Sequence, residues 1–188
     1  MDDIPTVVGI DASWTGLAMV SITGDVVVTR RLTSAPQAGV SLYQRLDKLG
    51  REFTSNLALM HPTMVLMEGY SFGSTIGREK AGELGGHLKW LMWALGVHPL
   101  IVPPMTLKCF VVGKGGAKKE AMMMYALKRW DFEAPDNDTC DAYCLARFGL
   151  ELLKSTQASQ ALRAKCEDLA LGHPAAPKKP GKPKKLAG

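Results

Sequence analysis

Hydrophobic positions up to residue 32 come in short β-rich runs, and further on they recur mainly at helical spacing. Residues 6–11 (TVVGID) are an apolar run closing on a carboxylate, which predicts a buried strand. Residues 16–23 and 26–32 flank Gly24-Asp25, a turn signal, so a hairpin is expected and three antiparallel strands precede any helix. Leu42, Leu46, Leu49 and Phe53 then recur at helical spacing between Ser41 and Met60, with Arg45, Lys48 and Arg51 on other faces, which predicts an amphipathic helix ended by Pro62. Residues 63–67 (TMVLM) predict another strand closing on an acid, Glu68, followed by a glycine-rich loop at 69–77.

The next helix, 78–95, is apolar nearly all round: Leu84, Leu88, Leu91 and Leu95 form one stripe, Trp90 and Trp93 another. Such a helix faces apolar partners on two sides, either its own sheet plus a second subunit or the core of a monomer. Gly82, Gly85 and Gly86 would let another backbone approach closely. A fifth strand at 99–102 is stopped by Pro103-Pro104, and helices are expected at 105–112, 118–130, 137–153 and 159–171. The order βββαβαβ followed by helices predicts an α/β fold on a five-stranded mixed sheet, three strands antiparallel and the rest joined by parallel crossovers.

The 188 residues suit a single core of ordinary size, and 46% hydrophobic against 22% charged residues excludes a wholly disordered chain. The formal charge is +5, yet it all resides in the segment 173–188 (HPAAPKKPGKPKKLAG), which holds five lysines and no acid. That segment is expected to be an extended basic arm after a domain at 1–157 and a short helix or linker at 158–172, either drawn to polyanions or merely solubilising. Cys109, Cys140, Cys144 and Cys166 are too few and too irregular for a disulfide framework, and no CxxC pair suggests zinc. No leader pattern opens the chain and no run approaches the roughly 18 apolar residues of a membrane span, so a cytoplasmic protein is expected.

Chemistry is expected at the sheet's edge. Asp11 and Glu68 end strands, while Asp138 and Asp141 stand three apart in the helix NDTCDAYCLA and so share one of its faces. Gathered in one pocket, four carboxylates would repel one another unless a hard cation, Mg²⁺ or Mn²⁺, sat between them. Each acid also has a local reading: Asp138 as a helix N-cap, Asp141 as a first-turn acid, Asp11 and Glu68 as ordinary strand-end residues.

Four segments together, GIDAS (9–13), MEGY (67–70), TLKCFVVGKGGAKKEA (106–121) and DTCDAYCLA (138–146), resemble the RuvC family of Holliday junction resolvases. The resemblance runs over roughly 7–150 in the right order and is most specific from Lys108 to Lys119 and in the D-x-x-D-A helix. It implies an RNase H-like fold, a homodimer working on four-way DNA junctions, and hydrolysis of a phosphodiester with Mg²⁺ or Mn²⁺, two ions per site. Asp11, Glu68, Asp138 and Asp141 match the family's metal-binding acids, and Lys108 and Lys119 fall where it carries functional lysines. Tyr70 and Phe72 are both candidates for its junction-wedging aromatic. Ala12 and Ser13 replace the usual Pro and Gly after the first acid, and the basic tail is extra, as in a divergent phage-type member.

Lys114 and Lys118, around Gly113, Gly115 and Gly116, are expected to hold a DNA phosphate; the spacing GKGGAKK lacks a Walker A pattern, so no nucleotide cofactor is expected. An RNase H-fold nuclease acting on other branched or hybrid nucleic acid, and a junction-binding protein without catalysis, are the competing expectations.

Overall fold

The structure, a computed structural model, describes residues 4–13, 15–33, 35–69, 78–154 and 156–170. Its centre is one five-stranded sheet in the order β3-β2-β1-β4-β5, formed by β1 (Thr6–Ser13), β2 (Gly16–Thr23), β3 (Val26–Thr33), β4 (Met64–Glu68) and β5 (Leu100–Val102). The first three strands are antiparallel, and β4 and β5 run parallel to β1, as expected from the order of the runs. Asp11 does not end its strand: β1 continues to Ser13, whose hydroxyl donates to the Gly16 carbonyl at 3.0 Å across the turn into β2.

Among the described residues six helices cover the two faces: α1 (Leu42–Met60), α2 (Arg78–Ala94), α3 (Pro104–Val112), α4 (Lys119–Trp130), α5 (Asn137–Leu152) and α6 (Gln157–Ala170). Ser41 caps α1 through a reciprocal capping box with Gln44, and His61, not Pro62, ends the helix in a left-handed conformation at φ 44°. One face of the sheet buries Val8, Ile10, Leu17, Met19, Val65 and Met67 under Phe53 of α1 and Leu84, Leu88 and Met92 of α2. The other face buries Val7, Ala18, Val20, Leu66 and Val102 under α3 to α6, with α5 lying across β1, β2 and β4.

Helix α2 departs from its expected stripe. Leu84, Leu88 and Met92 seal its inner face, whereas Leu95 has left the helix and is exposed, and Trp90 and Trp93 stand 60% and 65% exposed. Leu88 therefore belongs to this chain's own core, and the tryptophan side of α2 is left exposed.

Two glycines let α5 sit unusually close to the sheet. A Cβ on Gly9 would lie 2.0 Å from the Ala142 carbonyl oxygen and 2.6 Å from the Ala146 nitrogen, and a Cβ on Gly149 would lie 2.4 Å from Leu66 Cδ1. No disulfide joins Cys109, Cys140, Cys144 or Cys166. Among the described residues no helix is long and apolar enough to cross a membrane.

Candidate functional site

Strand register builds the site. Asp11 pairs with Ala18, Ala18 with Arg31, and Glu68 with Val102, while Ile10 against Met67 is the last parallel pair before Asp11 and Glu68. Residues opposite one another in a sheet share a face. Arg31, Ala18, Asp11, Glu68 and Val102 thus form one lateral row on the α5 side. Backbone pairing holds the far end of that row, because the Gly69 N–H donates to the Val102 carbonyl at 2.8 Å just beyond Glu68.

Above the row, α5 delivers Asp141 from its first turns. Asp136 is the N-cap, its Oδ1 accepting from the Thr139 N–H at 2.7 Å, so the N-cap role, one of the alternatives for Asp138, falls to a residue two positions earlier. Despite the penalty of burial, the Thr139 hydrogen bonds and the Arg31 charge hold the Asp136 carboxyl below its usual range. Asp11, Glu68 and Asp141 come together: each offers a carboxylate oxygen within 4.8 Å of the other two. Asp11 and Asp141 are buried, and Glu68 is partly so.

Burial, then mutual repulsion, sets the electrostatics. Desolvation raises Asp11 well above the ordinary carboxylate range, and the charges of Glu68, Asp141 and Asp138 push it further. Glu68 is raised to about 7, first by burial and then by Asp141, against the attraction of Lys119 and Lys108. Burial also raises Asp141, with Lys119 opposing it. Three oxygen donors that resist ionising side by side are a donor set suited to a hard divalent cation, whose charge offsets both penalties.

The two lysines reach this cluster from a fixed hairpin. Lys119 is the first residue of α4 and Lys108 lies in α3; both are near enough to oppose the rise of Glu68 and Asp141. Arg129 of α4 donates from Nη1 to the carbonyls of Phe110 and Val111 at 2.7 and 2.9 Å, satisfying the C-terminal turn of α3. Phe110 stacks on Trp130 at 5.9 Å and meets Phe148 of α5 edge-on at 5.1 Å, so α3, α4 and α5 are pinned together. Lys114 and Lys118 are exposed in the connection between α3 and α4, where Gly113 takes the left-handed conformation at φ 82°. Tyr70 and Phe72 lie outside the described residues.

Asp138 stands beside the trio, not within it. Its Oδ2 accepts a 2.8 Å hydrogen bond from Arg31 Nη1, which also lies 3.4 Å from Asp136. Arg31 and Arg129 are the site's unexpected residues.

The raised carboxyls imply a sign for the pH dependence of stability. Below about pH 4.5 Glu68 is protonated in both states; between there and about pH 7 the native state keeps a proton that the unfolded chain has released. Stability of the metal-free protein should therefore fall as pH rises through that window, by roughly 3 kcal/mol from Glu68, with Asp11 and Asp141 acting in the same direction. Thermal melts in EDTA from pH 4.5 to 8 test this; a melting temperature that climbs across the window would refute it, and Glu68→Gln should flatten the slope.

No protein-family model matches the sequence. Nor does any curated protein. Solved structures do. Thermus thermophilus RuvC in complex with Holliday junction substrate matches with a TM-score of 0.63 at 19% identity, covering 76% of this chain and 90% of that one. A second Thermus thermophilus RuvC structure gives 0.60 at 20% identity over 85% and 95%. Fowlpox virus resolvase, in complex with substrate Holliday junction DNA, gives 0.51 at 12% identity over 79% and 99%. This chain shares its fold, a five-stranded mixed sheet with helices on both faces, with these RuvC structures.

Proposed function

We propose that the chain is a divalent-metal-dependent endonuclease that resolves four-way DNA junctions. The observation that carries this reading is the buried trio Asp11, Glu68 and Asp141, set on a fold shared with two proteins whose structures hold junction DNA. Asp11, Glu68 and Asp141 would hold Mg²⁺ or Mn²⁺, with Asp138 available at the rim. Bound there, the metal supplies an activated water and a counter-charge for the leaving 3′ oxygen of the phosphodiester. Lys119, fixed at the start of α4, stabilises the negative charge that builds on the phosphoryl oxygens, and Lys108 orients a phosphate or a carboxylate partner. Lys114, Lys118 and the basic segment 173–188 add salt-sensitive attraction to the backbone, and Tyr70 or Phe72 would stack at the crossover.

The test is incubation with labelled four-way junction, Y-fork, linear duplex and RNA/DNA hybrid, in Mg²⁺ or EDTA. Paired, symmetrical, EDTA-sensitive nicks in the junction alone are expected. Equal cutting of the hybrid would transfer the protein to another class of RNase H-fold nuclease, and tight junction binding without nicks would make it a binding protein.

Two symmetric nicks call for two active sites, so the working form is a homodimer. The exposed tryptophan side of α2, where Gly82 and Gly86 face open space, is the surface that fits a second copy. Trp90→Glu with Trp93→Glu should convert the dimer to monomers in sedimentation and weaken junction binding at least about tenfold. An unchanged sedimentation coefficient would place the contact elsewhere.

A further inference from the structure

Arg31 has no place in the chemistry described above, yet it sits on the same lateral row as Asp11, two strands away through Ala18. Its guanidinium reaches the first turn of α5, holding Asp138 Oδ2 at 2.8 Å and approaching Asp136 Oδ1 at 3.4 Å. Asp138 is one helical turn from Asp141, and its charge helps raise both Asp141 and Asp11, so it stands at the rim of the trio. A fourth carboxylate with no cation beside it would worsen the repulsion that already loads this site. Arg31 provides that cation from the protein itself.

The pair is also built to give way. The Arg31 side chain is 46% exposed, and Asp138 is 20% exposed. Ion pairs at that exposure contribute little and exchange readily, so a divalent ion drawing on four carboxylates outcompetes a single guanidinium. Asp136 gives Arg31 a second anchor when Asp138 leaves, and that anchor is the helix cap, held by the Thr139 N–H.

Resting on the metal-dependent reading above, we infer that Arg31 is a placeholder cation: it neutralises Asp138 in the metal-free protein and surrenders it to a divalent ion. Arg31 is therefore a positioning residue, acting through Asp138. Removing it should leave Asp138 free and the site more negative, so metal binds more tightly.

Mn²⁺ titrated calorimetrically into the full-length protein, wild type against Arg31→Gln, tests this without any cleavage assay. The dissociation constant should fall about three- to tenfold in Arg31→Gln, and Arg31→Lys, which keeps the charge, should stay near wild type. In an Asp138→Asn background the same Arg31→Gln change should alter affinity less than twofold, because no carboxylate remains to be released. Weaker or unchanged binding in Arg31→Gln would overturn the placeholder while leaving the metal site intact. A full effect persisting in Asp138→Asn would reduce it to long-range charge and overturn it too. Wild-type protein that takes up no Mn²⁺ would overturn the metal site, and this inference with it. Thermal melts in EDTA check that Arg31→Gln and Arg31→Lys remain folded.

Discussion

Asp11→Asn should lower junction nicking at least about 10³-fold, roughly 4 kcal/mol of barrier, and at the same time make the metal-free protein more stable. Asparagine has the shape of aspartate, so the pairing of Asp11 with Ala18 and the close approach of α5 survive. What disappears is a negative charge at the one position raised by burial and by all three neighbouring acids. Its removal deprives a divalent ion of one of the three donors, and takes away the charge that Glu68, Asp141 and Asp138 oppose. Folding should gain stability in EDTA at pH 8, since burial and the neighbouring acids oppose a charge at this position. The opposite signs are the discriminating feature. A variant that loses activity because it unfolds would melt earlier, whereas this one should melt later and still bind junctions within a few-fold of wild type. Nicking near the wild-type rate, or an earlier melt in EDTA, would remove Asp11 from its assigned place.

The strands were legible in the sequence because each is a short apolar run bounded by a turn signal, and the mix of an antiparallel meander with parallel crossovers followed from the βββαβαβ sequence. The helix carrying Asp138 and Asp141 was equally plain. Its cap was not, since PDND offers three acceptors in a row and only the backbone decides that Asp136 turns out of the helix first. The stripe on α2 was misjudged at one end: a sequence period cannot tell where a helix stops, and Leu95 falls past the last turn. Arg31 could have been found. The turn at Gly24-Asp25 pairs Thr23 with Val26, and the turn after Ser13 pairs Ser13 with Gly16. Counting back from both puts Arg31 opposite Ala18 and Ala18 opposite Asp11. What no count supplies is the reach of a long side chain to a helix packed on top, which depends on how closely that helix lies.

That closeness makes the second large effect, at a position carrying no charge. In isolation alanine at position 9 would favour the folded chain over glycine, since it reduces the freedom of the unfolded state. Here its Cβ would meet backbone on the opposing helix, 2.0 Å from Ala142 O and 2.6 Å from Ala146 N, and backbone cannot rotate aside. Helix α5 must lift from β1, and because β1 carries Asp11 and α5 carries Asp141, lifting it parts two of the three donors. Gly9→Ala should therefore cost about 3 kcal/mol or more in denaturant unfolding and weaken Mn²⁺ binding by tenfold or more in the protein that remains folded. Gly149→Ala is the control on the same helix. Its Cβ would press on the methyl ends of Leu66 and Val7, which can swing away, so about 1–2 kcal/mol and little change in metal affinity are expected. If Gly9→Ala unfolds at the wild-type midpoint, or Gly149→Ala proves the costlier change, then the separation of α5 from β1 does not set the distance between the acids.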